Sequence, residues 1–586
     1  MISPSRVPGA AVAVLAVALA ACGPSREELA ARYPLVPAPA RLEPADGAFT
    51  LGARTRIVLS DPTDAALRHM AEAFAAPIRS VAGVPLPVED GAGDAGGAGS
   101  SATDVIFFEV SGQRSAGSPP PAFDPASEAY TLTVGPGRIH VSSSTRPGLF
   151  RGFMALRQLL PPEVERGVRS SAPWGQVGGP APAPDVAWSV PAVEIVDRPR
   201  FAWRGMHLDV GRHFFPVEFV KKYIDLLALH RMNVFHWHLT EDQGWRIQID
   251  AYPRLTEVGS CRDETMVAKN FDPYVGDGER YCGFYTKDEV REVVAYAAER
   301  HVTVVPEIEM PGHSLAALAA YPELACTEGP FEVGTSWGVF EDIYCPSEET
   351  FTFLETVLGE VMELFPSPWI HIGGDEAPKA RWEQSDRAQE VIRREGLADE
   401  EELQSWFVRR IERFLSAHGR RLIGWDEILE GGLPPEATVM SWRGMEGGVE
   451  AARQGHDVVM TPTSHVYFDY YQADPPDGEP LAIGGFTPLE EVYAFEPVPS
   501  ELSPEEARRV LGAQGNVWTE YIESPGGVEY MALPRMAALA EVVWSPSDAR
   551  DPEGFFLRLE RHLERLRELG VRYRGLDPEL RTDGGG

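Results

Sequence analysis

Two adjacent acids, Asp375 and Glu376, close the stretch Ile370-His371-Ile372-Gly373-Gly374-Asp375-Glu376. An apolar run of alternating parity stops at two glycines, and the acids stand where the run opens into a loop. Carboxyl groups at such a point can move protons or hold developing positive charge. Two carboxyl groups that share one reaction, one giving a proton and one facing the reacting atom, must point to the same side. Neighbours on an extended strand point to opposite sides, so Asp375 and Glu376 are awkward as that pair unless the loop turns sharply. The plain alternative for the same residues is a turn followed by a capped helix.

The elements that would position them repeat one theme from Phe201 onward: a short apolar run, a polar or glycine-rich end, then an amphipathic stretch. Candidate strands are 203–210, 233–239, 302–309, 369–373, 421–425, 438–442, 457–461 and 510–518, with helical stretches at 217–230, 287–300, 350–364 and 400–418. Eight strands alternating with helices predict an α/β fold of the (β/α)8 TIM-barrel type, with its active site at the strands' C-terminal ends. Those ends carry Asp209 and Arg212, then His236, His238, Glu241 and Asp242, then Glu307, Glu309 and His313. Asp375 and Glu376 follow, then Trp425 to Glu427, Trp442 and Arg443, Tyr467 and Asp469, and finally Trp518 and Glu520. Carboxylates and arginine that take hydroxyls, beside indoles that cover apolar sugar faces, describe a carbohydrate site.

Ahead of the barrel, a strand at 55–59, a helix at 65–82, a strand at 105–108, a hairpin over 130–142 and a helix at 149–160 form a small α+β unit without clustered titratable groups. The low-complexity stretches 91–101 and 170–184 read as a flexible loop and a domain boundary. The expected division is a signal peptide over 1–21, a tether over 22–32, the α+β N-terminal domain over 33–168, a linker over 169–196, the barrel over 197–570 and a polar tail over 571–586.

With 586 residues, 44% hydrophobic, the chain has ample apolar content for buried cores. A net charge of −35 with no basic cluster argues against nucleic acid as a partner. The segment 10–21 has signal-peptide length and is too short to span a bilayer as a helix. It ends Leu19-Ala20-Ala21-Cys22 and resembles a bacterial lipobox, which implies cleavage before Cys22, lipidation of its thiol, and a protein anchored to the cell envelope without spanning it. An ordinary secretory signal is the alternative. Cys261, Cys282, Cys326 and Cys345 remain as disulfide candidates. Sequence neighbours suggest Cys261 with Cys282 and Cys326 with Cys345, although three pairings are open. No Cys-x-x-Cys occurs, so a thiolate metal site is not expected.

The stretch 371–376, together with Arg204-Gly205-Met206-His207-Leu208-Asp209, Arg212-His213-Phe214, Asn233-Val234-Phe235-His236-Trp237-His238-Leu239, Asp242-Gln243-Gly244-Trp245-Arg246 and Pro306-Glu307-Ile308-Glu309-Met310-Pro311-Gly312-His313, resembles glycoside hydrolase family 20, the β-N-acetylhexosaminidases. The resemblance runs from about Ala202 to Trp544, and the first third is similar to that family's non-catalytic N-terminal domain. It implies exo-acting, retaining removal of terminal GlcNAc or GalNAc, with the substrate's own acetamido oxygen attacking C1 and no cofactor. By the same resemblance Glu376 is the general acid, with its pKa raised, and Asp375 holds the acetamido N–H. His313, backed by Glu309, tunes Glu376. Arg212 grips O3 and O4, Glu520 shares O4, Asp469 reaches O6, and Tyr467 donates to the acetamido oxygen. Trp425, Trp442 and Trp518 wall the acetamido methyl. Glu241, also expected at the substrate, and Glu309 stand where Asp is often found, which puts their contact geometry in question.

Other readings stay in view: release of a disaccharide, a non-catalytic glycan-binding lipoprotein, and a metal-dependent barrel hydrolase using His236-Trp237-His238. The last lacks a matching ligand set on later strands. Sugar preference and oligomeric state are not legible.

Overall fold

The computed structural model describes residues 24–90, 103–112, 123–175, 183 and 185–577. The expected signal peptide, Cys22 and the loop 91–101 lie outside the described residues. No helix among the described residues is long and apolar enough to cross a membrane.

Each of the eight apolar runs forms a strand: Trp203–Asp209, Val234–His238, Thr303–Glu307, Trp369–His371, Arg421–Trp425, Thr438–Ser441, Asp457–Met460 and Val510–Gly515. They pair in sequence order and close into a parallel barrel, as the strand–helix alternation demands. Closure joins the last strand to the first, with Gly512 opposite Trp203 and Gly515 opposite Met206. At Gly512 the backbone has φ +149° and passes against the Trp203 carbonyl, leaving no space for a Cβ. Alternate residues point two ways. Trp203, Val234, Val305, Trp369, Ile423, Trp425, Met440 and Val459 fill the barrel. The other parity packs beneath helices including Val217–Leu229, Lys287–Glu299, Glu348–Leu364 and Glu400–Ala417. Thr286 and Glu289 begin the second of these with reciprocal side-chain caps.

The cysteines pair as Cys261–Cys282 and Cys326–Cys345. Both bridges lie in loops beyond the C-terminal ends of the second and third barrel strands. The first joins facing residues of a short antiparallel pair, Cys261–Arg262 with Tyr281–Cys282.

The N-terminal unit is a seven-stranded mixed sheet, ordered Arg41–Thr50, Ser189–Asp197, Tyr130–Gly135, Arg138–Ser143, Val105–Val110, Arg56–Leu59, Val88–Asp90. The helices Ala65–Ala82 and Arg146–Leu159 contribute to its apolar core. Three expected boundaries need correction. The stretch 169–196 is more than a linker, because Ser189–Asp197 enters the sheet between Arg41–Thr50 and Tyr130–Gly135. Within the expected tether, Arg26–Arg32 is a capped helix whose Arg26 Nε lies 3.2 Å from Asp551 Oδ2. Residues 571–577 of the expected polar tail pack down, with Val571 and Leu576 buried. In each case partners far along the chain decide: two neighbouring strands for Ser189–Asp197, an ion pair for Arg26–Arg32, and buried apolar side chains for 571–577.

The N-terminal unit docks under the barrel through buried charge. Glu128 Oε2 accepts from Arg151 Nε and Arg204 Nη2, each at 2.6 Å, and Asn233 Nδ2 reaches Oε1 at 3.2 Å. Phe123 stacks on Trp203 at 5.7 Å and meets Trp369 edge-on at 4.5 Å, both at strand starts. Burial opposes ionisation of Glu128, but the two guanidiniums outweigh it and hold the carboxyl down at about 2. Removing one partner of a buried ion cluster costs about 3–5 kcal/mol. Glu128→Gln is therefore expected to destabilise the protein by about that amount at pH 7, read by denaturant unfolding. Because the folded pKa is depressed, the deficit is present above the ordinary 4.5 and shrinks as pH falls toward about 2.

Candidate active site

The fourth strand stops at His371, and the next residues turn sharply. Gly373 and Gly374 have φ +68° and +89°, and Glu376 itself sits at +47°. A Cβ on Gly373 would overlap the Glu309 carboxyl group, so glycine is required there for space as well as conformation. The turn answers the question that adjacency raised: Asp375 Oδ2 and Glu376 Oε2 both lie 3.6 Å from His313 Nε2. Their environments differ. The Asp375 side chain is 12% exposed and that of Glu376 42%.

His313 is held from behind by the loop after strand two. Its Nδ1 lies 2.8 Å from Glu241 Oε1 and 3.1 Å from Asp242 Oδ2. The expectation that Glu309 backs His313 is thus corrected, as is the assignment of Glu241 to the substrate. Glu241 is 1% exposed and bound to protein groups, with His238 Nε2 at 3.1 Å and Arg212 Nη2 at 3.3 Å. Its extra methylene carries it to the imidazole. Glu309 is also buried, packs against Gly373, and neither of its carboxyl oxygens has a hydrogen-bond partner in the protein.

Arg212 meets the same Glu241 carboxylate at its other oxygen. Its guanidinium lies 3.4 Å from Asp209 Oδ2 and 5.1 Å from the Trp518 ring centre. Asp469 is buried, and burial with Glu520 nearby pushes its carboxyl well up. Arg212 Nε, Asp469 Oδ1 and Asp375 Oδ1 are buried polar atoms without a protein partner. Such atoms are rare in folded proteins, and three of them share this pocket.

The three indoles converge. Trp425 and Trp518 lie 5.7 Å apart, and Trp442 stacks on Tyr467 at 6.2 Å and 24°. Trp425 Nε1 donates to Glu307 Oε1 and Trp442 Nε1 to Glu427 Oε2, both at 2.8 Å.

Charge divides the two acids. Burial, reinforced by Glu307 and Glu376, raises Asp375 to about 7 against the pull of His313. Glu376 goes the other way: the adjacent His313 cation lowers it, partial burial opposes, and Arg212 assists. The expectation of a raised Glu376 is not met in the unliganded pocket, because the residue is half in water beside a cation. Burial also works against the His313 cation, but Glu241 and the hydrogen bonds of Asp242 and Glu241 overcome it and hold the imidazole protonated.

His236 and His238, the pair behind the metal-hydrolase reading, are fully buried around Glu307. His238 Nδ1 is 2.5 Å from Glu307 Oε2, and His236 Nε2 is 3.0 Å from the same oxygen but off the line of a hydrogen bond. His371 Nδ1 lies 2.8 Å from Oε1. Protein donors already occupy both oxygens of this carboxylate, which gives the His-x-His pair a role in the barrel interior.

The remaining positions around the mouth are only partly legible in the sequence. Asp242 and Glu427 stand at expected strand ends but gave no sign of their partners. Trp337, which packs 5.5 Å from His213 and 6.4 Å from Tyr521, comes from a long loop with no periodic signal.

A closed (β/α)8 barrel with carboxyl groups, a buried Arg212 guanidinium and three indoles at its C-terminal mouth has the layout of a glycoside hydrolase. The chain belongs to glycosyl hydrolase family 20: residues 201–547 match that family's catalytic domain and residues 32–198 its domain 2. It is 44% identical over 541 residues to a beta-hexosaminidase of Porphyromonas gingivalis, covering 92% of this chain and 64% of that protein. The chain likewise spans 64% of the length of the Vibrio furnissii beta-hexosaminidase, to which it is 38% identical over 418 residues, 70% of this chain. A Cellulomonas fimi beta-N-acetylhexosaminidase is 31% identical over 560 residues, covering 94% of this chain and 98% of that protein. Among solved structures, the GH20 beta-N-acetylhexosaminidase from Streptomyces coelicolor A3(2) superposes with TM-score 0.76 at 30% identity, over 93% of this chain and 98% of that one.

The raised Asp375 carries a stability cost. Folded and unfolded forms are both protonated well below the ordinary 3.8, while between there and about 7 only the unfolded state ionises freely. Asp375→Asn is therefore expected to raise the melting temperature at pH 8 and to leave it nearly unchanged at pH 4, measured by thermal unfolding at both pH values.

Proposed function

We propose that this protein is an exo-acting, retaining β-N-acetylhexosaminidase that removes terminal GlcNAc or GalNAc from glycans or chitooligosaccharides by substrate-assisted catalysis. The observation that carries the reading is the pairing of Asp375 and Glu376 on one imidazole, beside a pocket walled by Trp425, Trp442 and Trp518. Family membership supports it, as does the Vibrio harveyi exo beta-N-acetylglucosaminidase solved in complex with N-acetylglucosamine, which superposes with TM-score 0.75 at 32% identity over 93% of this chain and 78% of that one.

In this reading Arg212 takes O3 and O4 of the terminal sugar, Glu520 shares O4, and Asp469 accepts from O6. The orphaned Arg212 Nε and Asp469 Oδ1 support those contacts. Tyr467 donates to the acetamido oxygen and aims it at C1, with the indoles around the methyl group. That oxygen attacks C1 as the glycosidic bond breaks, and Glu376 gives its proton to the leaving oxygen. Asp375 accepts from the acetamido N–H and becomes fully ionised as positive charge develops on the oxazolinium ring, an electrostatic contribution that is largest in a dry site. Water then attacks C1, Glu376 takes its proton, and the ring reopens with retained configuration.

A sugar and its leaving group cover Glu376 and displace water. Desolvation then raises its pKa from the depressed value of the open pocket, which is how it holds a proton when the substrate is bound. His313, fixed by Glu241 and Asp242, orients it.

Glu376→Gln is expected to lower kcat on 4-nitrophenyl N-acetyl-β-glucosaminide by about 10²–10⁴-fold while still binding an oxazoline mimic. Near-normal turnover would sink the assignment. Asp375→Asn should weaken that mimic strongly, and unchanged affinity in calorimetry would count against its role. Paired GlcNAc and GalNAc substrates read the sugar preference. The proposal includes export and lipidation at Cys22: labelled fatty acid is expected in the wild type and absent from Cys22→Ala.

A further inference from the structure

The three indoles are not held alike. Trp425 is 1% exposed and bonded to Glu307 inside the barrel. Trp518 packs against Arg212 at 5.1 Å and His207 at 4.4 Å. Trp442 stands at the rim, stacked on Tyr467, and follows a strand of only four residues, Thr438–Ser441.

Two consecutive acids on the turn Asp426–Leu429, after strand five, clamp that rim indole. Asp426 Oδ2 accepts from the Trp442 main-chain N–H at 3.2 Å, and Asp426 Oδ1 accepts from Arg443 Nε at 2.7 Å. Glu427 Oε2 accepts from the Trp442 indole N–H at 2.8 Å. One acid therefore fixes the backbone of Trp442 and the next fixes the rotation of its ring, while Tyr467 supports one ring face. Glu427 is 8% exposed.

We propose that Glu427 is a positioning residue that, by holding the Trp442 indole, sets the size of the N-acyl group the site accepts. This rests on the reading of Trp442 as a wall of the acyl pocket. A wall that cannot rotate rejects added methylenes; a wall free to swing admits them. The surroundings also explain why an acid can serve: burial and the nearby Asp375 push Glu427 up to about 8, so at neutral pH it is largely a neutral group accepting one hydrogen bond. Glutamine can do the same and alanine cannot.

The test compares kcat/KM for 4-nitrophenyl β-glucosaminides carrying N-acetyl, N-propanoyl and N-butanoyl groups. A wild type inert toward the N-acetyl compound would overturn the proposed function itself, before any variant is compared. With an active wild type, acetyl is expected to be favoured over propanoyl by about 10–200-fold, the range a single methylene commands in a tight pocket, and over butanoyl by at least as much. Glu427→Ala should cut that ratio at least about tenfold, Trp442→Phe, which keeps an aromatic ring but loses the N–H, should cut it similarly, and the double variant should go no lower than either. Glu427→Gln should keep the ratio within about threefold of wild type. The ratio is internal to each preparation, so a smaller folded fraction leaves it unmoved. A wild-type ratio in Glu427→Ala, an alanine-like ratio in Glu427→Gln, or additive losses in the double variant overturns the proposal. If Glu427→Ala does not fold, the glutamine and Trp442→Phe variants decide it: both must behave as stated.

Discussion

The mouth of this barrel is built around a charge problem. Asp209, Glu241, Asp242, Glu309, Asp375, Glu376, Asp469 and Glu520 crowd the mouth, most of them buried, and Arg212 and His313 are the cations set among them. Both cations are tied to Glu241, which lies 3.3 Å from Arg212 Nη2 and 2.8 Å from His313 Nδ1. Burial opposes ionisation of Glu241, yet Arg212 and His313 hold it well below the usual range. With that carboxylate charged, His313 keeps its proton and can hold two acids at once. Without it, the remaining acids would share one low-dielectric space with little to oppose them.

From this arrangement the division of labour follows. Asp375 and Glu376 touch the same imidazole nitrogen, so proximity to His313 does not distinguish them. Depth does. Asp375 lies under the loop and is raised, ready to ionise when a positive ring forms beside it. Glu376 is half in solvent and low until something covers it. The same pocket gains rigidity from below, where Glu307 joins three histidines and Trp425, and from the side, where Asp426 and Glu427 hold Trp442. At the barrel floor Glu128 and its arginines join the N-terminal unit to the first two strands.

Much of this was legible in the sequence. The eight strands and four of the helices fall within a few residues of where the period of the apolar positions puts them, because an apolar run with polar ends has few ways to be buried on both faces. The convergence of Arg212, His313, Asp375, Trp425, Asp469 and Trp518 follows from barrel topology alone, since every strand end delivers to one face. The two disulfides also join the nearest cysteines. Less legible were the strand Ser189–Asp197 and the helix Arg26–Arg32, whose partners lie far along the chain, and the packed segment 571–577 with its buried Val571 and Leu576.

What the sequence determined by itself, then, is the barrel and the list of groups at its mouth, because period, turn chemistry and strand order are local properties. What the tertiary structure decided is which group holds which. The positive φ at Gly373, Gly374 and Glu376 brings two neighbouring acids onto one histidine, although an extended chain would part them. The reach of Glu241 gives that histidine to the loop after strand two, leaving Glu309 against Gly373. Depth of burial separates Asp375 from Glu376. Each of these depends on distances of a few ångströms between residues tens to hundreds of positions apart, and no local pattern carries that information.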